Sequence, residues 1–178
     1  MESIDLDILG ITEHHQELND FEDEPLSGLY GRRELQIDGF NVISTHRKKT
    51  RKGGIAWIYK SCLNIQLWEP KLVEESLKQY ATERLWIRAD CGKEKLFLGL
   101  VYMPTENSGP EKAKDFDNIL SLLDKDIEEI KQEQGTVLIY GDFNSHVGNL
   151  YDSHLGIQGN SSGIGSNGSK ILAWMNQI

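Results

Sequence analysis

Three short stretches hold side chains whose types and spacing suit phosphoryl chemistry. The first is Gly141-Asp142-Phe143-Asn144, which follows the apolar run Val137-Leu138-Ile139-Tyr140. On an extended backbone Asp142 and Asn144 point to one side and can reach one ligand, while Phe143 turns back into the core. Gly, Asp and Asn are also the residues by which chains leave strands, so the spacing alone reads equally well as a turn. The second is Glu13, which closes Leu9-Gly10-Ile11-Thr12-Glu13-His14-His15. A glutamate at one strand end, facing another strand end that presents Asp142, is the oxygen donor set a hard cation such as Mg²⁺ requires. Taken alone, Glu13 reads more simply as a solvated strand terminus. Zinc is disfavoured, because adjacent histidines on an extended segment point to opposite faces and no Cys or third His recurs at ligand spacing. The third stretch is Val101-Tyr102-Met103-Pro104, where a proline fixes the backbone as it leaves a strand. The Tyr102 phenol there is either a neutral donor to a phosphate oxygen or a cap on the core.

A fourth feature is electrostatic. Arg47, Lys48, Lys49, Arg51 and Lys52 place five cations in six residues just before Gly53-Gly54. Such a loop suits contacts to DNA phosphates on either side of a scissile one. The plain alternative is a solvated hairpin.

The elements that must position these residues are readable from periodicity. Residues 7–12, 40–44, 54–59, 65–68, 84–89 and 96–102 are β-branched or aromatic runs bounded by turn residues, and are predicted strands. Lys93-Glu94-Lys95 reads as a tight hairpin between the last two. Phe116, Leu120, Leu123, Ile127 and Ile130 then recur at helical spacing, which predicts a helix over 111–134, with Pro110 suited to its first turn and Gly135 to its stop. Val137-Leu138-Ile139-Tyr140 is apolar at four successive positions and predicts a strand buried on both faces. Five glycines between 156 and 169 predict a loop, and Lys170-Ile171-Leu172-Ala173-Trp174-Met175 starts a second helix.

Composition bounds the rest. With 178 residues, 38% hydrophobic and 26% charged, the chain reads as one globular domain spanning 1–178. No apolar run approaches the roughly 20 residues of a membrane helix, and the acidic start Met1-Glu2-Ser3-Ile4-Asp5 resembles no secretory signal. An intracellular protein of nucleus or cytoplasm is expected, neither secreted nor membrane-bound, with no stable protein partner evident. Cys62 and Cys91 are expected to be buried, reduced thiols. A net charge of −9 argues against spreading along nucleic acid by global electrostatics, but not against an acidic enzyme whose bound metal carries the decisive charge.

The ordered set Ile11-Thr12-Glu13-His14-His15, Gly53-Gly54-Ile55-Ala56, Val101-Tyr102-Met103-Pro104 and Gly141-Asp142-Phe143-Asn144 resembles the endonuclease/exonuclease/phosphatase superfamily. Ser145-His146-Val147-Gly148 and Asn167-Gly168-Ser169-Lys170-Ile171-Leu172 look more specifically like the apurinic-endonuclease-type domains of non-LTR retrotransposons. The resemblance implies an α/β fold, a four-layered sandwich of two packed sheets with helices outside. It further implies Mg²⁺-dependent phosphodiester hydrolysis, with Mn²⁺ as a possible substitute and the DNA backbone as substrate. Glu13 would bind the metal, Tyr102 would hold the scissile phosphate, Asp142 would orient or activate water, and Asn144 would hydrogen-bond the phosphoryl oxygens.

The sequence departs from that pattern at both ends. The family's asparagine-bearing first strand precedes the glutamate motif by several tens of residues, whereas Glu13 stands twelve residues after Met1. The family closes on a Ser-Asp-His motif, and neither His146 nor His154 follows Ser-Asp. A sandwich truncated at both ends, with impaired or absent catalysis, is therefore expected. The alternatives are another phosphodiesterase or phosphatase of the superfamily, acting on lipid head groups or inositol phosphates, and a non-catalytic fragment.

Overall fold

The computed structural model describes residues 6–14, 32–45, 54–71, 75–105, 110–148, 151–152, 157–158 and 163–178. Four strands form a first sheet: β1 (Ile8–Thr12), β2 (Arg32–Ile37), β3 (Phe40–Thr45) and β4 (Ile55–Lys60), in the order β1-β4-β3-β2 and antiparallel throughout. A second sheet holds β5 (Ile65–Trp68), β6 (Arg84–Cys91), β7 (Glu94–Tyr102) and β8 (Thr136–Asp142), in that order, with β8 parallel to β7. Helix α1 (Pro110–Gln132) makes the crossover between β7 and β8, and a 3-10 segment (Glu75–Glu83) precedes β6. The pair β9 (Tyr151–Asp152) and β10 (Ile157–Gln158) and helix α2 (Ser166–Met175) complete the described elements. This is a mixed α/β sandwich of two packed sheets with helices, in keeping with the four-layered sandwich that the resemblance implies; among the described residues the helical cover lies on the second sheet.

The period of two along β6 and β7 divides their side chains between two cores. Leu85, Ile87, Leu98 and Leu100 face the first sheet, where they meet Ile43, Ile55, Trp57 and Tyr59. Trp86, Phe97 and Val101 face the helices and pack with Phe116, Ile119, Leu123, Ile127, Ile171 and Trp174. All five residues of the predicted helical stripe are buried. Gly99 lies opposite Trp86 across the β6–β7 pair, and a Cβ there would come within 2.7 Å of the indole. The indole of Trp57 crosses between sheets and donates to the Leu85 carbonyl at 3.0 Å.

A charged group holds α1 to the second sheet. Asp126 is fully buried and accepts from Arg84 Nε at 2.5 Å, Arg84 Nη2 at 2.9 Å and Trp86 Nε1 at 2.8 Å. The fork geometry satisfies both carboxylate oxygens. At its C-terminus α1 closes with bonds from Gly135 N to Ile130 O and from Gln134 N to Lys131 O, the pattern of a Schellman cap. The left-handed residue is Gln134, at φ +58, not Gly135. Gly135 is needed for room, since a Cβ there would lie 2.2 Å from the Phe97 ring.

Three expectations are corrected. Strand β8 is covered on one face only: Val137 and Ile139 pack toward the helices, whereas Leu138 and Tyr140 are 42% and 50% exposed. The reason is topological, because β1 and β8 are both edge strands and the space between them is an open cleft of about 710 Å³ lined by Ile8, Trp57, Leu98, Leu100, Leu138 and Tyr140. Cys62 and Cys91 are exposed, because Cys62 sits in a turn and Cys91 is the last residue of β6, next to the turn at Gly92-Lys93. Strand β2, absent from the sequence reading, pairs with β3 through the two-residue loop Asp38-Gly39, both at positive φ, as a type I′ hairpin requires.

Truncating Asp126 would leave Arg84 buried without a partner, and Asp126→Ala is expected to cost about 3–5 kcal/mol in urea-induced unfolding. The β8 edge, with its apolar cleft-side face, is a template for association. Light scattering after size-exclusion chromatography should show concentration-dependent association that Leu138→Lys relieves.

Candidate active site

Strand parity and strand pairing bring the site together. Tyr102 is the last residue of β7 and shares the inter-sheet face with Leu96, Leu98 and Leu100. In the parallel β7–β8 register Tyr102 pairs with Asp142, which has the parity of Leu138 and Tyr140 and lines the same cleft. Across that cleft Thr12 ends β1, and Glu13 follows at φ +55. The Tyr102 hydroxyl donates to Glu13 Oε1 at 2.5 Å. Tyr102 thus bonds Glu13 across the cleft and stands beside Asp142 in the second sheet.

The exit from β8 is tight. Gly141 has φ +138, and a Cβ on it would fall 1.9 Å from the Val101 carbonyl oxygen, so only glycine lets β8 keep its pairing there. Asp142 Oδ1 then accepts from the Asn144 backbone N–H at 2.9 Å. Asn144 stands at φ +45, so the extended geometry expected to align its side chain with Asp142 ends before it is reached. Its Nδ2 instead donates to the Met103 carbonyl at 2.8 Å, which ties the two strand exits together and leaves one amide proton for another acceptor. Phe143 packs into the helix-side core, as expected.

Residues that the sequence reading left without a structural role hold this arrangement. Asn167, nine-tenths or more buried at the start of α2, donates through Nδ2 to the Pro104 carbonyl at 3.3 Å. Gly168 abuts the His146 carbonyl, 1.9 Å from where its Cβ would sit, and Gly165 N bonds that same carbonyl at 2.8 Å. The Asn167-Gly168 pair therefore clamps the loop after Asp142 against the one after Tyr102. The signal for it was an Asn-Gly pair opening a helix, where a turn would be the default reading. His146 is exposed, and His154, Arg47, Lys48, Lys49, Arg51 and Lys52 lie outside the described residues. The strand ends that flank the basic stretch are described: Thr45 and Ile55 pair, and Ile55 also pairs with Thr12, next to Glu13.

The donor chemistry fits a hard divalent cation. The bonds from Tyr102 and Asn144 each take one carboxylate oxygen, leaving Glu13 Oε2 and Asp142 Oδ2 without a partner among the described residues. Among those residues no group of three or more His, Cys, Asp or Glu side chains forms. Two carboxylates suit Mg²⁺, which keeps several waters and completes its shell with substrate phosphate, better than they suit Ca²⁺ or Zn²⁺.

No family model and no curated protein sequence matches the chain. Among solved structures, the 3′ phosphatase NExo from Neisseria, bound to a product DNA hairpin, is similar over 80% of this chain and 49% of its own, with 18% identity and a TM-score of 0.48. The chain spans about half the length of that protein.

Gly141→Ala combines a forced positive φ with a backbone collision. It is expected to lower stability by at least about 1–3 kcal/mol and to expose the β8 amides, a change that amide hydrogen exchange would locate at residues 139–142.

Proposed function

We propose that the protein hydrolyses DNA phosphodiester bonds by divalent-metal-assisted attack of water, in the manner of the endonuclease domains of non-LTR retrotransposons. The observation that carries this reading is the Tyr102–Glu13 hydrogen bond, joining residues 89 positions apart, on a tyrosine whose strand partner is Asp142. A half-buried tyrosine that only caps a core has no need of a carboxylate from the opposite sheet. Glu13 and Asp142 would hold Mg²⁺, or Mn²⁺ in its place. When bound, the cation neutralises the two carboxylates and the charge that develops on the phosphoryl oxygens.

The chain's own residues supply the positioning. Tyr102 orients Glu13 and presents its phenol to the phosphate. Asp142 directs water, and the remaining Asn144 amide proton serves a phosphoryl oxygen. Arg47, Lys48, Lys49, Arg51 and Lys52 belong to the connection between Thr45 and Ile55, strand ends that adjoin Glu13, which favours an extended polyanion such as DNA over a small phosphate ester.

The sequence contains no Ser-Asp-His string to supply a general base, a role usually worth about 10²–10⁴-fold. Nicking of supercoiled plasmid should accordingly be slow, dependent on Mg²⁺ or Mn²⁺, and at least about 100-fold slower again in Asp142→Ala and Glu13→Gln. Nicking by Asp142→Ala at the unaltered rate would remove the basis of the proposal. Turnover of inositol phosphates in preference to plasmid would retain the site and change its substrate.

A further inference from the structure

The backbone of Glu13 is left-handed, at φ +55, a conformation that a non-glycine residue keeps only where its surroundings impose it. Glu13 itself is exposed, and its side chain is engaged by Tyr102 alone among the described residues. The following residue is the anchored one. His14 Nε2 lies 3.2 Å from the carbonyl oxygen of Thr45, and the His14 backbone N–H donates to the Gly54 carbonyl at 3.4 Å. Thr45 is wholly buried, and its hydroxyl donates to the Thr82 carbonyl at 2.9 Å, so the imidazole rests on a fixed point. Gly54, at φ +84, makes room for the ring: a Cβ there would lie 2.4 Å from His14 Cε1 and 2.6 Å from Nε2. The imidazole is thus seated where β3 ends and β4 begins, one residue from the carboxylate that meets Tyr102.

From this we infer that His14 is a positioning residue for the metal-binding carboxylate. Its ring, docked on Thr45 in a seat that only glycine at 54 leaves open, locks the left-handed turn that delivers Glu13 to Tyr102 and the Asp142 strand end. The inference deepens the metal-assisted reading and rests on it. With Nε2 turned to the Thr45 carbonyl, the role of His14 is to fix the chain, and cation affinity is where its removal registers.

The probe is Mn²⁺ alone, titrated into the 178-residue chain and followed by loss of the free-ion electron paramagnetic resonance signal, with thermal unfolding recorded for every variant. His14→Ala should bind about 10–100-fold more weakly, the range for losing a group that orients a ligand. His14→Gln keeps a side-chain N–H for Thr45 and should recover most of the affinity. Gly54→Ala should weaken binding by itself, through the ring it displaces and through the positive φ it must hold. A folded His14→Ala that binds like the unaltered chain overturns the inference, and so does a folded His14→Gln as weak as His14→Ala, which would make the imidazole itself a ligand. If His14→Ala does not fold, His14→Gln decides: affinity within about threefold of the unaltered chain supports the role, and a loss of tenfold or more overturns it. Glu13→Gln separates the two levels. Undiminished Mn²⁺ binding by that variant overturns the metal reading and the positioning role together, whereas failure of the His14 variants alone leaves the metal reading standing.

Discussion

The fold depends on a carboxylate placed where carboxylates rarely go. Asp126 lies on the buried stripe of α1 and receives three donors from β6, two from Arg84 and one from the Trp86 indole. An ion pair of this kind costs several kcal/mol per ion in desolvation, and its attraction returns that only when the geometry is good and no donor is left over. What it contributes above apolar packing is register. A helix held by Leu and Ile alone can slide by a turn at modest cost, whereas the fork of Arg84 accepts a carboxylate at one place. Because α1 is the crossover between β7 and β8, fixing α1 on β6 also fixes where β8 enters the sheet. Site geometry at Tyr102 and Asp142 is downstream of that anchor.

From there strand alternation does the sorting. β7 sends Phe97 and Val101 to the helices and Leu98, Leu100 and Tyr102 toward the other sheet; β8 does the same with Val137 and Ile139 against Leu138, Tyr140 and Asp142. Parallel pairing then sets Tyr102 beside Asp142, and Trp57, bonded to the Leu85 carbonyl, keeps the first sheet against the second so that β1 can present Glu13. Each chemical group is therefore the last inward-facing residue of its strand or the residue just beyond it. A cleft bounded by two edge strands opens alongside, which is why these groups meet solvent at all.

Much of this was legible in the sequence, for identifiable reasons. The strands with β-branched and aromatic runs and the helix with its Phe116–Ile130 stripe emerged within a few residues of where they were read. β2 did not, because Arg32-Arg33-Glu34-Leu35-Gln36-Ile37 has little strand character of its own, and its one signal is the Asp38-Gly39 turn that pairs it with β3. The motifs located the strand ends, and with them Glu13, Tyr102 and Asp142. Sequence pattern misled at β8, where an apolar run implied two covered faces, since periodicity records which residues tolerate burial and not whether a neighbouring strand is there to bury them. Backbone conformation was the least legible layer. Glu13, Gln134 and Asn144 take left-handed angles without being glycine, while Gly135 is small for the sake of Phe97 rather than for its φ. For the cysteines residue type favours burial, but position decides: Cys62 lies in a turn and Cys91 at the very end of β6.

The parallel β7–β8 pairing also has a consequence for how such a chain can vary. Side chains on a strand change face with every residue, so losing or gaining one residue between Thr136 and Asp142 would reverse the whole strand. Asp142 would then point among Phe143, Val101 and Met103 on the helix side, and Val137 and Ile139 would be turned into the cleft. A point change along β8 acts at one position and leaves the alternation of the others in place, and even at Gly141 the collision is with the neighbouring Val101 backbone. A change in length cannot be absorbed there: it must be taken up before Thr136 or after Asp142, so alterations in length among copies of this sequence should collect in those connections and be absent from the seven residues of β8.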